Sequence, residues 1–202
     1  MKWDFNPTPT ELISLTAFYK LIKNPISRIE VASAGGYLSY ENIADKATVA
    51  GVEVEVRKNL FVRPLSSAAN GMNKLSFGLN GSYIYTNAKM PLATVTTGSQ
   101  LEGAAPWIAN FDLSHNFTKG NHSFINTLVL NYVSDKIYTI GTQGYQDIME
   151  QGMMTLDFVS QAKLNKYVSL TLKARNLLNP SYKLSRKANE SGEKVVLSDY
   201  KK

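Results

Sequence analysis

The sequence predicts an all-β protein: an antiparallel up-and-down meander of about eight strands that is part of a larger membrane β-barrel. Extended segments of roughly ten residues alternate apolar and polar side chains, which is close to the 9–11 residues that a strand needs to cross a bilayer. The connections between these segments are alternately short and long, as on the two rims of such a barrel. No apolar run approaches the roughly 18 residues of a membrane helix.

The composition agrees with this fold class and excludes several functions. Of the 202 residues, 44% are hydrophobic, and the mean hydropathy of -0.19 is far from that of a helical membrane protein. The chain has no cysteine, so disulfides, thiol nucleophiles and cysteine-bound metals are excluded. The net charge of +6 comes from scattered basic residues, so no nucleic acid partner is expected.

The first complete strand follows a short connection that contains two prolines. Residues 1–5 are predicted to end an earlier strand, and the prolines of NPTPT favour a tight turn. In ELISLTAFYKLI the apolar residues fall on alternate positions, which predicts a strand; they are Ile13, Leu15, Ala17, Tyr19 and Leu21. After Asn24-Pro25, the stretch to about Lys46 contains Gly35-Gly36 and is predicted to be a long loop.

The meander continues with ATVAGVEVEVRKNL, in which the valines oppose charged residues. The following LFVRPLSSAANGMN is predicted to be a connection longer than a hairpin turn. KLSFGLNGSYIYTN resumes the strand pattern, and its tyrosines suit a membrane interface. A second long loop is predicted from about Ala88 to Ala105.

The clearest alternation in the chain is WIANFDLSHNF, which is followed by the turn TKGNH. The next segment, SFINTLVLNYVSD, has three consecutive apolar residues, so its register and the burial of its two faces stay open. The third long loop, KIYTIGTQGYQDIMEQGMM, has neither period and could contain a helical turn. A strand from Thr155, a tight turn at Asn165-Lys166 and a further strand follow, and the last segment is predicted to be a loop where one more strand is expected.

The alternation assigns each side chain to one of two faces. We expect one face to contact lipid and the other to line the lumen. The lipid-facing candidates are Trp107, Phe111, Leu170 and Leu172. The lumen-facing candidates are Glu53, Glu55, Asp112, Lys173 and Arg175.

Four phrases, in this order, resemble a known family: NPTPTELISLTAFYKLIKNPI, TVAGVEVEVRKNL, EGAAPWIANFDLSHNF and LTLKARNLLNPSY. They are similar to the C-terminal barrel strands of TonB-dependent outer-membrane receptors, especially of the Bacteroidetes type. The resemblance implies a barrel of about 22 strands around an N-terminal plug. It also implies uptake of a nutrient such as an iron chelate, a vitamin or a glycan, with energy from the TonB system.

This resemblance sets the expected organisation and location. Residues 1–202 are expected to be a partial receptor barrel in the cell outer membrane, without the plug domain and the final strand. The start of the chain shows no export signal, which agrees with a piece of a longer protein. The expected partners are outer-membrane lipid, the remainder of the receptor, an unidentified small molecule or glycan, and TonB only through the missing plug.

The best candidates for ligand contact lie in the third long loop. Aromatic rings beside amides suit recognition of sugars or chelates, although an ordinary surface loop explains the same residues. The candidates are Tyr138, Gln143, Tyr145 and Gln146.

The sequence gives little support for catalysis, a metal or a cofactor. His115 and His122 flank a turn without metal-ligand spacing, and parity places Asp112 and His115 on opposite faces. Glu53 and Glu55 are about 7 Å apart along a strand, a spacing that acid-base chemistry allows but that lumen polarity explains better. Matches to Asn-x-Ser/Thr occur at Asn116, Asn121 and Asn189, and chance explains them better than glycosylation.

Two alternatives of other classes stay open. A soluble β-sandwich or small barrel that binds a ligand would use the same alternation to pack a dry core. An outer-membrane enzyme would need a Ser-His pair, which the sequence does not offer, so the chain is not expected to be an enzyme. A receptor fragment predicts an open sheet with unpaired edges, whereas a closed barrel with a filled interior would favour the soluble protein.

Overall fold

The computed structural model describes residues 1–31, 36–65, 71–88, 100–142, 144–188 and 192–201. Its main feature is one antiparallel sheet of eight strands. In the order in which they lie in the sheet, these strands are β1 (Lys2–Phe5), β2 (Leu12–Lys23), β5 (Lys46–Pro64), β6 (Met72–Ala88), β7 (Trp107–Lys119), β8 (His122–Val133), β11 (Met153–Lys163) and β12 (Ser169–Ala174). In the described part of the chain, no helix is long and apolar enough to cross a membrane.

Six shorter strands form two small sheets. β3 (Ile26–Glu30) and β4 (Leu38–Asn42) make a hairpin between β2 and β5. The other sheet has the order β14-β13-β10-β9 and consists of β9 (Lys136–Thr139), β10 (Ile148–Glu150), β13 (Ser181–Lys187) and β14 (Lys194–Lys201). β3, β4, β9 and β10 come from long connections of the large sheet, whereas β13 and β14 follow β12. A bridge between Ile29 and Ile140 links β3 to the residue after β9.

The register of the large sheet separates apolar from polar side chains, as the alternation predicts. One row of directly paired residues crosses six strands: Leu15, Val54, Gly81, Ala109, Tyr132 and Met154. The side of the sheet that carries this row is called the apolar face. The opposite side, which carries Glu53 and Asp112, is called the polar face.

The apolar face is exposed rather than packed. Trp107 is 56% exposed, Tyr19 68% and Leu172 63%. A soluble sandwich would cover such a face with a second sheet, but the small sheets lie at the long-loop edge instead. The described residues therefore do not form the dry core that the soluble alternative requires.

The buried core lies at the long-loop edge of the sheet. It joins β3, β9 and the neighbouring loop residues to the ends of β5 and β6. Its members are Ile29, Ile43, Ala44, Ala47, Ala88, Ile137 and Ile140, with Leu101 and Met149 packed against them. Ala47 and Ala88 pair directly and belong to the polar face by alternation. The core therefore lies on the polar side of the sheet. The described residues around it are called the loop cap and come from four stretches of the chain: 24–31 with 36–45, 100–106, 134–142 with 144–152, and 175–188 with 192–201.

Three predicted loops contain strands, so those predictions were wrong. The loop after Asn24 contains β3 and β4, the third long loop contains β9 and β10 rather than a helical turn, and the last segment contains β13 and β14. These strands have no more than eight residues each. Burial alternates along β3 and β9, but Ser27 and Thr139 are polar residues at buried positions, so the sequence shows no apolar alternation there.

β5 is longer than the sequence pattern indicates. Asn59 pairs with Ser76, but Phe61 pairs with Leu75, so Leu60 is an extra residue in a β-bulge. The bulge interrupts the period of two. For this reason the pattern ends at Leu60, although the strand continues to Pro64.

The structure settles the register of β8, which the sequence left open, and corrects the length of the turn at Asn165-Lys166. Leu128 and Leu130 lie on the apolar face, while Val129 lies on the polar face between Asp112 and Asp157. The turn at Asn165-Lys166 spans residues 164–168, and Asn165 Oδ1 accepts bonds from the N–H groups of Tyr167 and Val168, each 2.8 Å long.

The large sheet is open, as a receptor fragment predicts. β1 pairs only with β2, and β12 pairs only with β11, among the described strands. Each edge strand therefore presents a row of backbone groups that a further strand can pair with.

Candidate functional site

The predicted lumen-facing residues share the polar face, with one exception. Glu53 pairs with Ser82, Asp112 with Gly78, and Lys173 with Val159, all on this side. Arg175 follows the last residue of β12 and is exposed, so the register does not place it on either face. The structure thus brings four of the five residues to one side of the sheet; these are Glu53, Glu55, Asp112 and Lys173.

Ion pairing and packing occupy two of these carboxylates. Arg57 Nε donates to Glu55 Oε1 at 2.7 Å, so Glu55 is paired with a cation rather than with Glu53. The carboxylate of Asp112 fills the space beside Gly78, where an added Cβ would clash with it. Arg57, Gly78 and Asp112 lie in one cross-strand row, and a polar cavity of about 300 Å³ lies beside them.

The predicted lipid-facing residues share the apolar face. Trp107 pairs with Tyr83, Phe111 with Leu79, and Leu172 with Ser160. Leu170 pairs with Ala162 on the same side. The rings of Tyr83 and Trp107 are 4.6 Å apart and flank a shallow apolar groove of about 480 Å³ over Gly81 and Ala109.

The histidines do not form a catalytic or metal site within the described residues. His115 Nε2 bonds Asn73 Oδ1 at 2.8 Å, on the face opposite Asp112 as parity predicts. No group of three or more His, Cys, Asp or Glu side chains is close enough to hold a metal in this part of the chain. Asn116 lies within β7 and Asn121 in the turn after it, whereas Asn189 lies outside the described residues.

The loop cap contains the densest group of paired charges. Arg28 Nη2 lies 3.2 Å from Glu102 Oε1, and the backbone N–H of Arg28 donates to Glu102 Oε2 at 2.6 Å. The guanidinium of Arg28 also lies over the ring of Tyr138, with Cζ 4.2 Å from the ring centroid. Burial alone lowers the pKa of Arg28, but Tyr138 and Glu102 outweigh it and raise that pKa above its usual value. Arg28 is therefore fixed by two loops at once.

A second arginine links the most distant segments of the cap. Arg186 Nη2 donates to Glu30 Oε2, and its guanidinium lies 5.3 Å from the ring centroid of Tyr145. The hydroxyl of Thr142 donates to the carbonyl oxygen of Glu30. β3, β13 and the third long loop are thus joined at one point.

A third polar group lies at the small four-stranded sheet. Lys136 Nζ is 3.2 Å from Glu150 Oε1, and the Tyr182 hydroxyl donates to Glu150 Oε2 at 3.3 Å. Burial, with the negative charge of Glu150 beside it, raises the pKa of Tyr182 to about 12. Tyr182 therefore stays a hydrogen-bond donor at every physiological pH.

The four residues predicted to contact a ligand have different surroundings in the structure. Tyr138 and Tyr145 both lie in the loop cap, each with its ring under an arginine. Gln146 is half-buried, and its backbone packs against Gly141. Gln143 lies outside the described residues. Sequence reasoning missed Arg28 and Arg186, because no local pattern marks residues whose partners lie far along the chain.

The comparisons with known proteins give one family. The model of the family described as TonB dependent receptor-like, beta-barrel, matches residues 1–177. No curated protein and no solved structure matches the chain.

Proposed function

Because the chain belongs to the TonB-dependent receptor-like β-barrel family, we propose that it forms part of the wall and outer cap of a nutrient receptor. The family consists of outer-membrane receptors and transporters. The proposed cargo is an iron chelate, a vitamin or a glycan, and the proposed energy source is the TonB system. Within this proposal the chain transports only as part of the whole receptor.

The exposed apolar face is the observation that supports the proposal most. A surface that carries Trp107, Phe111, Leu170 and Leu172 is unfavourable in water and favourable against lipid tails. Burying one such side chain is worth about 1.5–3 kcal/mol. We therefore propose that the apolar face contacts lipid and that the polar face, with Glu53, Glu55, Asp112 and Lys173, lines the lumen.

The loop cap supports an orientation. Outer-membrane barrels have short periplasmic turns and long extracellular loops. The four segments of the cap all lie at the long-loop edge, so this edge is proposed to face the cell exterior. The cap would then stand above the lumen, where a ligand arrives first.

The ligand is proposed to contact the cap. Tyr145 is 45% exposed, whereas the guanidinium of Arg186 beside it is already paired with Glu30, so the aromatic ring is the part of this group that a ligand can reach. Tyr138, Gln143 and Gln146 belong to the same loop and remain candidates. Aromatic rings beside amides suit sugars and chelates, because rings stack on apolar ligand faces while amides form hydrogen bonds.

The open edges support the proposed partners. Further strands of the receptor would pair with β1 and β12, and the plug would lie against the polar face. TonB would act through the plug rather than on this chain. We also infer that the chain is not an enzyme, in keeping with a family of transporters.

Partitioning tests the proposal. The chain is expressed with an export signal, and the membrane fraction is extracted with detergent. We expect detergent-dependent β-structure whose electrophoretic mobility changes on heating. A monomer that stays in buffer and melts cooperatively without detergent would overturn the proposal.

A further inference from the structure

Two lysines face each other at the outer end of the large sheet. Lys23 ends β2 and Lys46 begins β5, and the register pairs them directly. Both side chains are exposed. Like charges at directly opposed positions destabilise a strand pair, so an anion bound between the two ammonium groups would stabilise this arrangement.

The pair lies on the apolar face, next to an aromatic row. Lys23 continues the alternation of Tyr19 and Leu21 on β2. Tyr19 pairs with Ala50, which pairs in turn with Tyr85. Tyrosines in such a row mark the level at which a barrel surface leaves the hydrocarbon. The two ammonium groups therefore stand where lipid headgroups lie.

No side chain of the described residues neutralises this pair. None of the ion pairs in this part of the chain includes Lys23 or Lys46. Asp45 is adjacent in sequence and exposed, but it forms no ion pair with either lysine. Lys20, the remaining charge at this end of β2, lies on the opposite face, with its ammonium 5.7 Å from the Phe18 ring centroid.

We propose that Lys23 and Lys46 together bind the phosphate of a lipid headgroup. An ammonium group has three donors and a phosphate has several acceptor oxygens, so one phosphate can bridge both lysines. The flexible lysine stems can run along the apolar surface while their charged ends reach the headgroup level. This inference rests on the proposed contact of the apolar face with lipid.

The test compares two variants of the full chain refolded in zwitterionic detergent. The probe is fluorescent diphosphoryl lipid A, and its affinity is measured by titration. The K23Q/K46Q double variant is expected to bind about 30-fold more weakly. K20Q removes a charge from the same end of β2 but from the other face, so it should bind like the unchanged chain.

Two results would overturn the lysine site. One is equal affinity of K23Q/K46Q and K20Q for the lipid. The other is displacement of the lipid by inorganic phosphate at equal concentration, which would make free phosphate the ligand.

A second measurement separates this inference from the proposed function. Both tryptophans, Trp3 and Trp107, lie on the apolar face, so brominated lipids should quench their fluorescence. Quenching without any effect of K23Q/K46Q would overturn the lysine site alone. Absence of quenching would overturn the lipid contact and the lysine site together.

Discussion

At the scale of single residues, the loop cap depends on Arg186 and its partners. The pair with Glu30 joins positions that are 156 residues apart, and only 17% and 16% of the two side chains are exposed. A charge that loses its partner in such surroundings keeps its desolvation cost. The pair therefore matters more than the surface ion pairs of the same sheet.

Glu30→Gln should test this difference. We expect the free energy of unfolding in detergent to fall by about 2 kcal/mol, because the charge of Arg186 loses its partner. Lys183→Gln is the matched control, since the pair of Lys183 with Asp199 is 36% and 44% exposed, and it should cost less than about 1 kcal/mol. If urea titrations gave equal losses of unfolding free energy for the two variants, the greater importance of the pair of Glu30 with Arg186 would be contradicted.

The raised pKa of Tyr182 predicts that the stability of the fold depends on pH in the alkaline range. Its pKa of about 12 lies above the model-compound value of 10.0, so the folded state holds this proton where the unfolded state releases it. The stabilisation is complete below pH 10, and it is lost between pH 10 and pH 12. The difference in phenolate absorbance between the unchanged chain and Tyr182→Phe should show one late-titrating tyrosine. Titration of this tyrosine near the ordinary pKa of 10.0 would contradict the prediction.

The candidate residues show how far sequence reasoning reaches at this scale. Tyr138 and Tyr145 could be nominated because aromatic residues stand out within one loop. Their arginine partners could not, because Arg28 and Arg186 meet those rings only after distant segments have come together. The pairing of Glu55 with Arg57 is local, and it follows from the alternation of β5.

At the scale of elements, glycines in the strands differ in what surrounds them. The ring of Phe18 lies over Gly51, and a Cβ at Gly51 would also clash with the carbonyl oxygen of Tyr83. Gly81, on β6, has no such neighbour within 4 Å. The ring thus covers a backbone position that has no side chain of its own.

Gly51→Ala and Gly81→Ala should therefore differ in their effect on the free energy of unfolding. We expect the first to lower the free energy of unfolding by about 1–3 kcal/mol, since a backbone atom has to move. The second should be nearly neutral. Denaturant titration of both variants in the same detergent measures the difference, and a neutral Gly51→Ala would show that the strands adjust freely.

The two faces of β7 give a test of membrane orientation. Phe111 lies on the apolar face, and its neighbour Asn110 lies on the polar face. Phe111→Lys should destabilise the membrane-inserted sheet by about 2–4 kcal/mol, because the ammonium would enter lipid. Asn110→Lys should have little effect. Folding yield into lipid vesicles is the measurement, and the reverse order would assign the faces the other way.

The predictability of the elements follows from their surroundings. The strands of the large sheet have two different faces, so period two in the sequence identifies them. β3 and β9 are short and place the polar Ser27 and Thr139 at buried positions, and β10 has only three residues, so no apolar alternation marks them. The bulge at Leu60 hides the end of β5 in the same manner, since one added residue reverses the parity.

At the scale of the whole molecule, the burial pattern is the reverse of that of a water-soluble domain. The large sheet exposes its apolar side chains, and the buried hydrophobic cluster lies in the connections between strands. A bilayer makes this arrangement favourable, because lipid rather than protein then covers the sheet. Alternation predicted which residues share a face, and the family resemblance predicted the open sheet, whereas the cap core was not predictable, since it is assembled from four separate segments.

The position of Arg186 has a consequence for the order of assembly. The contact with Glu30 spans most of the chain, and loop-closure entropy makes such contacts late events in folding. The strands from β4 to β12 lie between these two residues in the chain, so most of the sheet is synthesised before the two side chains can meet. A chain in which β3 or β13 is misplaced would therefore be left with two unneutralised, largely buried charges in the loop cap.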